Sequence, residues 1–339
     1  MKKFLLVSFI LFLVAGVLLT GCSEEREQAS EGIDEQIVIR FSHVSPEAST
    51  KGRAVNLFRD LVEERLGDKV KVEVYPAGQL FSDTEGLEAL QAGNIQMMFL
   101  SNSKLIGMDP SFQIANLPFF WKDGATALNF LNGPEGQKMK ETTEPFGIKV
   151  LATWFSGNMQ FTNSVRPLKQ PSDFNGIQFR IMSGGLLEDQ FVNLGAGAQV
   201  LPFGELYIAL QRGTVDGQEN PMDLIVENKY YEVQKYLTIS NHAPATHSIL
   251  TNKDHWDNLP DDIRSEIESI LQEVTEQEIQ WADEDEEKYL EILKEKGIEI
   301  HELSNAEYET FRKACEPLYA KYKDIIGQEL MDKAEAYNK

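Results

Sequence analysis

One arginine in this chain stands where a charge is expensive. Arg180 lies in the run Ile177 to Ile181, between Phe179 and Ile181, and the run reads as a short strand. A guanidinium inside such a strand, once buried, needs a carboxylate partner. That partner is either an Asp or Glu of the same chain or the carboxylate of a bound molecule, gripped by two parallel hydrogen bonds. Both readings are open from the sequence alone. Downstream, Gly204 to Leu210 reads as a short helix with Leu206, Ala209 and Leu210 on one face, stopped by Arg212 and Gly213. Thr214 to Asn220 is too polar for a core strand and reads as an ordered loop. Asp216-Gly217 favours a turn, Pro221 can open the next helix, and Gln218, Glu219 and Asn220 are left to face a ligand.

Other constellations carry less. His242 and His247 are separated by a stretch containing Pro244, which spoils a helical ligand pair, and Cys315 has no neighbour with which to bind metal, so both histidines read as structural or surface residues. Gly195-Ala196-Gly197 follows a helix instead of a strand and lacks the third glycine of a dinucleotide loop. No G-x-S-x-G motif is present, and Ser183-Gly184-Gly185 has no His and Asp in a recognisable order. Asp216 and Glu219 are spaced as an acid and base could be. Their simpler role is to fix their own backbone and to partner a nearby arginine. No enzymatic centre and no cofactor is expected.

The elements that must position Arg180 follow an α/β pattern. Ile37 to Phe41 reads as a strand, Ala54 to Leu66 as an amphipathic helix closed by Gly67, and Val70 to Val74 as a second strand. That order implies a right-handed crossover and a parallel pair. Asp83 to Ala92 reads as a helix, Ile95 to Leu100 as a strand covered on both faces, and Ile148 to Thr153 as another strand. The aromatic and proline-rich Pro110 to Trp121 reads mainly as core. Turn residues from Arg166 to Gly176 suggest a crossing between lobes, and Ala245 to Thr251 a strand returning to the first lobe. A long helix begins at Asp261-Asp262 with the stripe Ile263, Ile267, Ile270, Leu271 and Val274, and its acidic continuation, Trp281 to Lys296, reads as solvated surface. A short strand at Ile298 to Ile300 and helices to Lys339 follow.

The N-terminal residues read as an export signal. Lys2 and Lys3 precede an apolar run from Phe4 to Thr20, and Leu19-Thr20-Gly21-Cys22 is similar to a bacterial lipobox, so residues 1–21 are expected to be removed and Cys22 acylated. Residues 22–35 carry no aromatic or periodic apolar residue and read as an acidic tether. Cys315 alone cannot form an internal disulfide. The net charge is −22, and −24 without residues 1–21, which argues against nucleic acid and against spontaneous adsorption to anionic lipid. An anionic ligand would need a local cationic site.

Several motifs together are specific. Phe174 to Arg180, Leu194-Gly195-Ala196, Glu205 to Gln211 and Val215 to Pro221 closely resemble the solute-binding subunits of tripartite ATP-independent (TRAP) transporters, the DctP family. Tyr75 to Leu80, Leu117-Pro118-Phe119, Lys229 to Val233 and Asn241-His242 extend the resemblance over nearly all of the chain beyond the signal. It implies a two-lobed α/β fold of the periplasmic-binding-protein kind, type II-like, with a cleft between lobes, crossing strands and a long bracing helix. The expected lobes are 36–155 with about 246–285, and 156–245 with about 286–339. By position, Arg180 would pair with a ligand carboxylate, Asn220 would donate to it, and Phe203 would pack on the ligand or its arginine. His43, Ser101 and Asn102 would offer contacts from the other lobe, and Glu219 completes the expected set. Many members carry a second arginine just before the Thr162-Asn163-Ser164 run, where this chain has Met159. A monocarboxylate or hydroxylated acid is therefore as credible as a C4-dicarboxylate. The implied function is that of a lipid-anchored, monomeric extracytoplasmic receptor delivering an organic acid to the small and large TRAP membrane subunits. A receptor of the same architecture serving an ATP-driven importer or a sensor kinase is the alternative.

Overall fold

The computed structural model describes residues 36–339; the expected signal, Cys22 and the expected tether lie outside them. The chain begins with β1 (Ile37–Ser42), α1 (Thr50–Leu66), β2 (Val70–Tyr75), α2 (Glu85–Gln91) and β3 (Met97–Ser101). β1 and β2 pair in parallel around the α1 crossover, as the sequence pattern requires, and β3 lies parallel to β1 on its other side. After α3 (Gly124–Asn132) and α4 (Pro134–Glu141) comes β4 (Ile148–Asn158), which runs into β5 (Gln160–Asn163) with only Met159 between them. The chain continues through β6 (Gln178–Ile181), α5 (Leu186–Asn193), β7 (Gly197–Val200), α6 (Leu206–Arg212), β8 (Gly217–Asn220), α7 (Met222–Glu227) and β9 (Tyr236–Ile239). It returns through β10 (Pro244–Asn252), followed by α8 (Lys253–Asp257), α9 (Asp261–Glu295), β11 (Glu299–Glu302), α10 (Asn305–Ile326) and α11 (Gln328–Tyr337).

These strands form two mixed sheets, one ordered β2-β1-β3-β10-β4 and the other β11-β9-β5-β8-β6-β7. The chain passes between them at β4 to β5 and again at β9 to β10, and the two passages are tied where Met159 N donates to Ala243 O at 2.8 Å. The turn-rich stretch from Arg166 to Gly176 is therefore not the crossing. It closes on itself within the second lobe: Asp173 accepts from the Lys169 and Gln170 amides, and Arg166 Nη1 donates to the Asp173 and Asn175 carbonyls. A stretch that satisfies its own backbone can turn sharply, whereas a crossing shared by two sheets must stay extended.

The long helix α9 is the third link. Its buried stripe does not stop at Val274 but continues through Glu278, Ala282, Asp285, Tyr289 and Leu293. At 1.5 Å per residue it spans roughly 50 Å. Its first half packs with α1 and β4 in a core containing Phe58, Trp154 and Ile267, and its second half packs Tyr289 and Leu293 with Leu206, Ile225 and Leu237. Asp285, in the stretch expected to be solvated, is buried and paired with Arg53 of α1. On the other side of the sheets one apolar core joins Phe112 and Leu131 to Phe174, Phe179 and Phe191. Phe311, Cys315 and Met331 of the C-terminal helices close it, so α10 and α11 pack on elements from both sheets.

The largest departure from expectation is β8. Gly217 to Asn220, too polar by composition for a core strand, is a fully buried strand between β5 and β6. Its polar side chains are admitted because each finds partners. Gln218 Nε2 donates to Thr162 Oγ1 at 2.8 Å, Thr162 Oγ1 donates to Gln234 Oε1 at 3.0 Å, and Asn220 Nδ2 donates to Gln218 Oε1. Gly217 reads as a turn residue in sequence, yet a Cβ there would lie 2.6 Å from the Thr162 carbonyl oxygen and 2.7 Å from Phe179. Gly217→Ala should therefore force β5 and β8 apart and destabilise the fold by about 1–3 kcal/mol, read as a lower urea midpoint; an unchanged midpoint would show that the strand pair yields without cost.

Candidate functional site

A small cavity lies between the sheets, with room of about 50 Å³ inside its walls. Its lining comes from the carboxyl ends of parallel strands on both sides, the usual location of ligand crevices in α/β sheets. β1 leads to Val44 and Ser45, and β3 ends at Ser101 and leads to Lys104. β6 contributes Arg180 and, just past its end, Met182; β7 leads to Phe203; and β8 ends at Asn220. Phe99, Leu100, Met159, Pro221, Leu224 and His247 complete the wall with Asp83, which stands just before α2.

Arg180 is 2% exposed. Its Nε donates to the Leu201 carbonyl at 3.0 Å, its guanidinium carbon lies 5.8 Å from the centre of the Phe203 ring, and its Nη2 makes no hydrogen bond to any of the described residues. Burial pushes its pKa down, opposed by Tyr230, Asp83 and Glu219. It remains a cation, because guanidinium does not lose its proton in proteins. Among the described residues none forms a salt bridge with it, and Glu219, the carboxylate expected closest in sequence, is turned elsewhere. Glu219 Oε2 accepts from Gln190 Nε2 at 3.1 Å and from His242 Nε2 at 2.9 Å. The His242 ring in turn stacks on Phe161 with centroids 3.9 Å apart. The choice left open by sequence therefore falls against an internal ion pair for Arg180.

Of the residues expected to contact a ligand, the fold brings Arg180, Asn220, Phe203, Ser101 and Met159 to the cavity. Three stand apart from its wall. Glu219 belongs to the network just described; Asp216, outside the expected ligand set, fixes the backbone by accepting from Gln178 N at 2.9 Å. Asn102 points into the seam between β3 and β10, donating to Thr246 Oγ1 at 3.2 Å and accepting from Ser248 Oγ at 2.7 Å. The side chain is consumed by packing the sheet. His43 is buried behind the wall, its ring stacked on Phe99 at 4.9 Å, and burial pushes its pKa down to about 4. It is an uncharged support for Phe99.

Asp83, Lys104 and His247 line the cavity and were not foreseen as ligand contacts. Lys104 follows the strand exit by three residues, so the rule that strand ends line the crevice would have reached it had the exit turn been counted in full. Asp83 carries no such signal, since its place depends on how α2 docks. His247, in the middle of β10, is held neutral, with a pKa well below the usual imidazole range through burial and the nearby Lys51. Among the described residues no cluster of His, Cys, Asp and Glu could hold a metal, and no helix is long and apolar enough to cross a membrane. Burial pushes the lone thiol of Cys315 up to about 12.

A second set of buried charges joins elements of both lobes. The fully buried Lys51 of α1 donates to Ser156 Oγ of β4 at 2.7 Å, and both Asp223 of α7 and Glu278 of α9 attract it. Phe155 N donates to Glu278 Oε2 at 3.1 Å. Burial lowers the pKa of Lys51 and raises those of both carboxyl groups, Glu278 to about 8.

Two lobes meeting at a small cavity, with a buried cation lacking a carboxylate of its own, define a solute-binding protein. The chain belongs to the DctP family: the family model described as bacterial extracellular solute-binding protein, family 7, matches residues 41–324. It is 37% identical over 302 residues to the C4-dicarboxylate-binding protein DctB of Bacillus subtilis, covering 89% of this chain and 86% of that one. A TRAP periplasmic solute-binding protein from Shewanella oneidensis, solved with bound succinate, superposes with a TM-score of 0.87 at 33% identity, over 90% of this chain and 100% of that chain. Another from Pseudomonas aeruginosa, with bound L-malate, gives 0.82 at 36% identity, over 84% and 100%.

The pH dependence of stability should report the Lys51 cluster. A carboxyl group whose pKa is raised on folding contributes stability that is complete below its unfolded value, about 4.3, and is lost as pH rises toward about 8 for Glu278. The depressed His43 acts in the opposite sense, its contribution being lost only as pH falls from about 6.5 toward about 4. Between roughly pH 6.5 and 8 the unfolding free energy should therefore fall with rising pH, and Glu278→Gln should flatten that slope. Urea titrations across the window decide it; equal slopes would mean that Glu278 is already ionised in the folded protein.

Proposed function

We propose that this protein is an extracytoplasmic receptor that captures a small organic acid by its carboxylate and delivers it to the membrane subunits of a TRAP transporter for ion-driven uptake, without catalysing a reaction. The observation that carries the reading is Arg180, buried at the cavity wall with Nη2 unpartnered and no ion pair among the described residues. A ligand carboxylate supplies the missing counter-charge and accepts the guanidinium hydrogen bonds. Asn220, on the neighbouring strand, is placed to donate to the same group, and Phe203 covers the guanidinium face. The ligand class is a C4-dicarboxylate or a related acid. The C4-dicarboxylate named for the Bacillus subtilis relative and the succinate and L-malate bound by the solved relatives support that class.

Because the wall is built from both sheets, a ligand that bonds to both favours the closed arrangement through contacts available only there. In this reading Cys22 carries the lipid, and the tether of about 14 residues lets the receptor move on the order of 20 Å from the membrane surface. Cys22→Ala should move the protein from the membrane fraction to the soluble extracytoplasmic fraction on cell fractionation, and continued sedimentation with membranes would remove the anchor.

Ligand capture is tested by thermal shift on the domain lacking residues 1–22, refolded to strip carried-over ligand, against mono-, di-, keto- and sugar acids. Binding raises the midpoint by mass action whatever the ligand. A shift with one small class of acids is expected, and calorimetry on Arg180→Lys, which keeps the charge but loses the planar fork, should show affinity lower by roughly 10- to 100-fold. Unchanged affinity would take Arg180 out of the site, and no shift with any acid would remove the carboxylate reading.

A further inference from the structure

The cavity holds a second cation, contributed by the other lobe. Among the described residues Arg180 and Lys104 are the only Arg or Lys lining it, Arg180 on β6 of one sheet and Lys104 in the turn that leaves β3 of the other. The Lys104 side chain is 13% exposed, and its Nζ lies 2.9 Å from Asp83 Oδ2. Asp83 is itself fully engaged. Its other oxygen accepts from Phe203 N, across the cleft, at 3.2 Å. Asp83 therefore fixes the ammonium beside the ring that covers Arg180, and one of its three N–H groups suffices for the ion pair. The others are left to a ligand.

Met159 is the complementary observation. It is buried against Met182, Ala243 and Ala245, so that side of the cavity offers methyl groups and no charge. His247 is neutral. A second acidic group on the ligand thus has one cation to meet, and it lies across the cleft from Arg180. We infer that Lys104, held by Asp83, is the residue that selects a ligand with a second carboxylate, so that a short diacid bridges the two lobes by placing one carboxylate on Arg180 and the other on Lys104. This rests on the receptor reading given above and adds to it the specificity of the distal end. A monoacid of the same length meets Arg180 alone and leaves the Asp83–Lys104 pair as it stands. It draws the lobes together less strongly, because ligand contacts to both lobes are what favour closure.

A purely structural Asp83–Lys104 pair is the competing explanation, and matched ligands separate the two. Calorimetry would compare succinate and L-malate with butyrate and 3-hydroxybutyrate, which keep the chain length and lack the second carboxylate. For the unaltered protein the diacids should bind more tightly. Lys104→Gln should weaken the diacids by roughly 10- to 100-fold, the usual range for a lost charge-assisted hydrogen bond, and leave the monoacids within about twofold. Lys104→Arg, which keeps the charge, should restore most of the diacid preference, and its unfolding midpoint together with that of Lys104→Gln shows whether either variant has lost its fold. Equal loss for both ligand classes, or no loss for either, would overturn the assignment of Lys104 while leaving the receptor reading intact. Failure of the unaltered protein to bind any acid would overturn both.

Discussion

The buried guanidinium of Arg180 is the constraint around which the rest of this structure is arranged. Taking a charge out of water costs several kcal/mol unless a partner of opposite sign replaces the lost hydration. Here the protein supplies a carbonyl for Nε and an aromatic ring for one face, and withholds a carboxylate. Glu219, which could have neutralised it, is held by Gln190 and His242, and Asp83 is held by Lys104 and Phe203 N. The nearby carboxylates attract Arg180 from a distance without closing on it. In the proposed receptor, a site built this way keeps a large part of its electrostatic stabilisation in reserve for a ligand.

Holding that arrangement requires a stiff floor, and the polar strand β8 supplies it. A chain of hydrogen bonds runs from Asn220 through Gln218 and Thr162 to Gln234, while the opposite face joins Glu219 to His242 and the Phe161 ring. Each such group, if left unpaired in the interior, would cost about 1–3 kcal/mol, so the network tolerates little rearrangement. The lobes are connected through two strand crossings at Met159 and Ala243 and through the length of α9. At the same seam sit Lys51, Asp223 and Glu278, drawn from α1, α7 and α9. Any relative motion of the lobes changes the surroundings of those three charges.

Much of the architecture was legible in local sequence. The period of Ala54, Leu57, Phe58, Leu61 and Val62 makes α1 a helix wherever it is placed, and the alternation of Val70, Val72 and Val74 does the same for β2. The position of Arg180 between apolar residues announced a buried charge, and the motifs around it identified the family. Thr214 to Asn220 was misread because polarity along a chain reports the average fate of a residue type, whereas burial of Gln218 depends on Thr162 and Gln234 standing opposite it. Asn102 and Lys104 show the same limit at smaller scale. Both lie in one exit turn, yet one is used in the β3–β10 seam and the other lines the cavity.

By itself, then, the sequence determined such elements as α1 and β2, the family and the presence of an interior cation, because each depends on residues close together along the chain. Only the tertiary structure decided whether that cation had an internal partner, which strand passes between lobes, and which second cation shares the cavity. Those outcomes depend on distances between residues far apart in sequence, Arg180 and Glu219, Met159 and Ala243, Asp83 and Phe203, and such distances are set by how the sheets and helices pack.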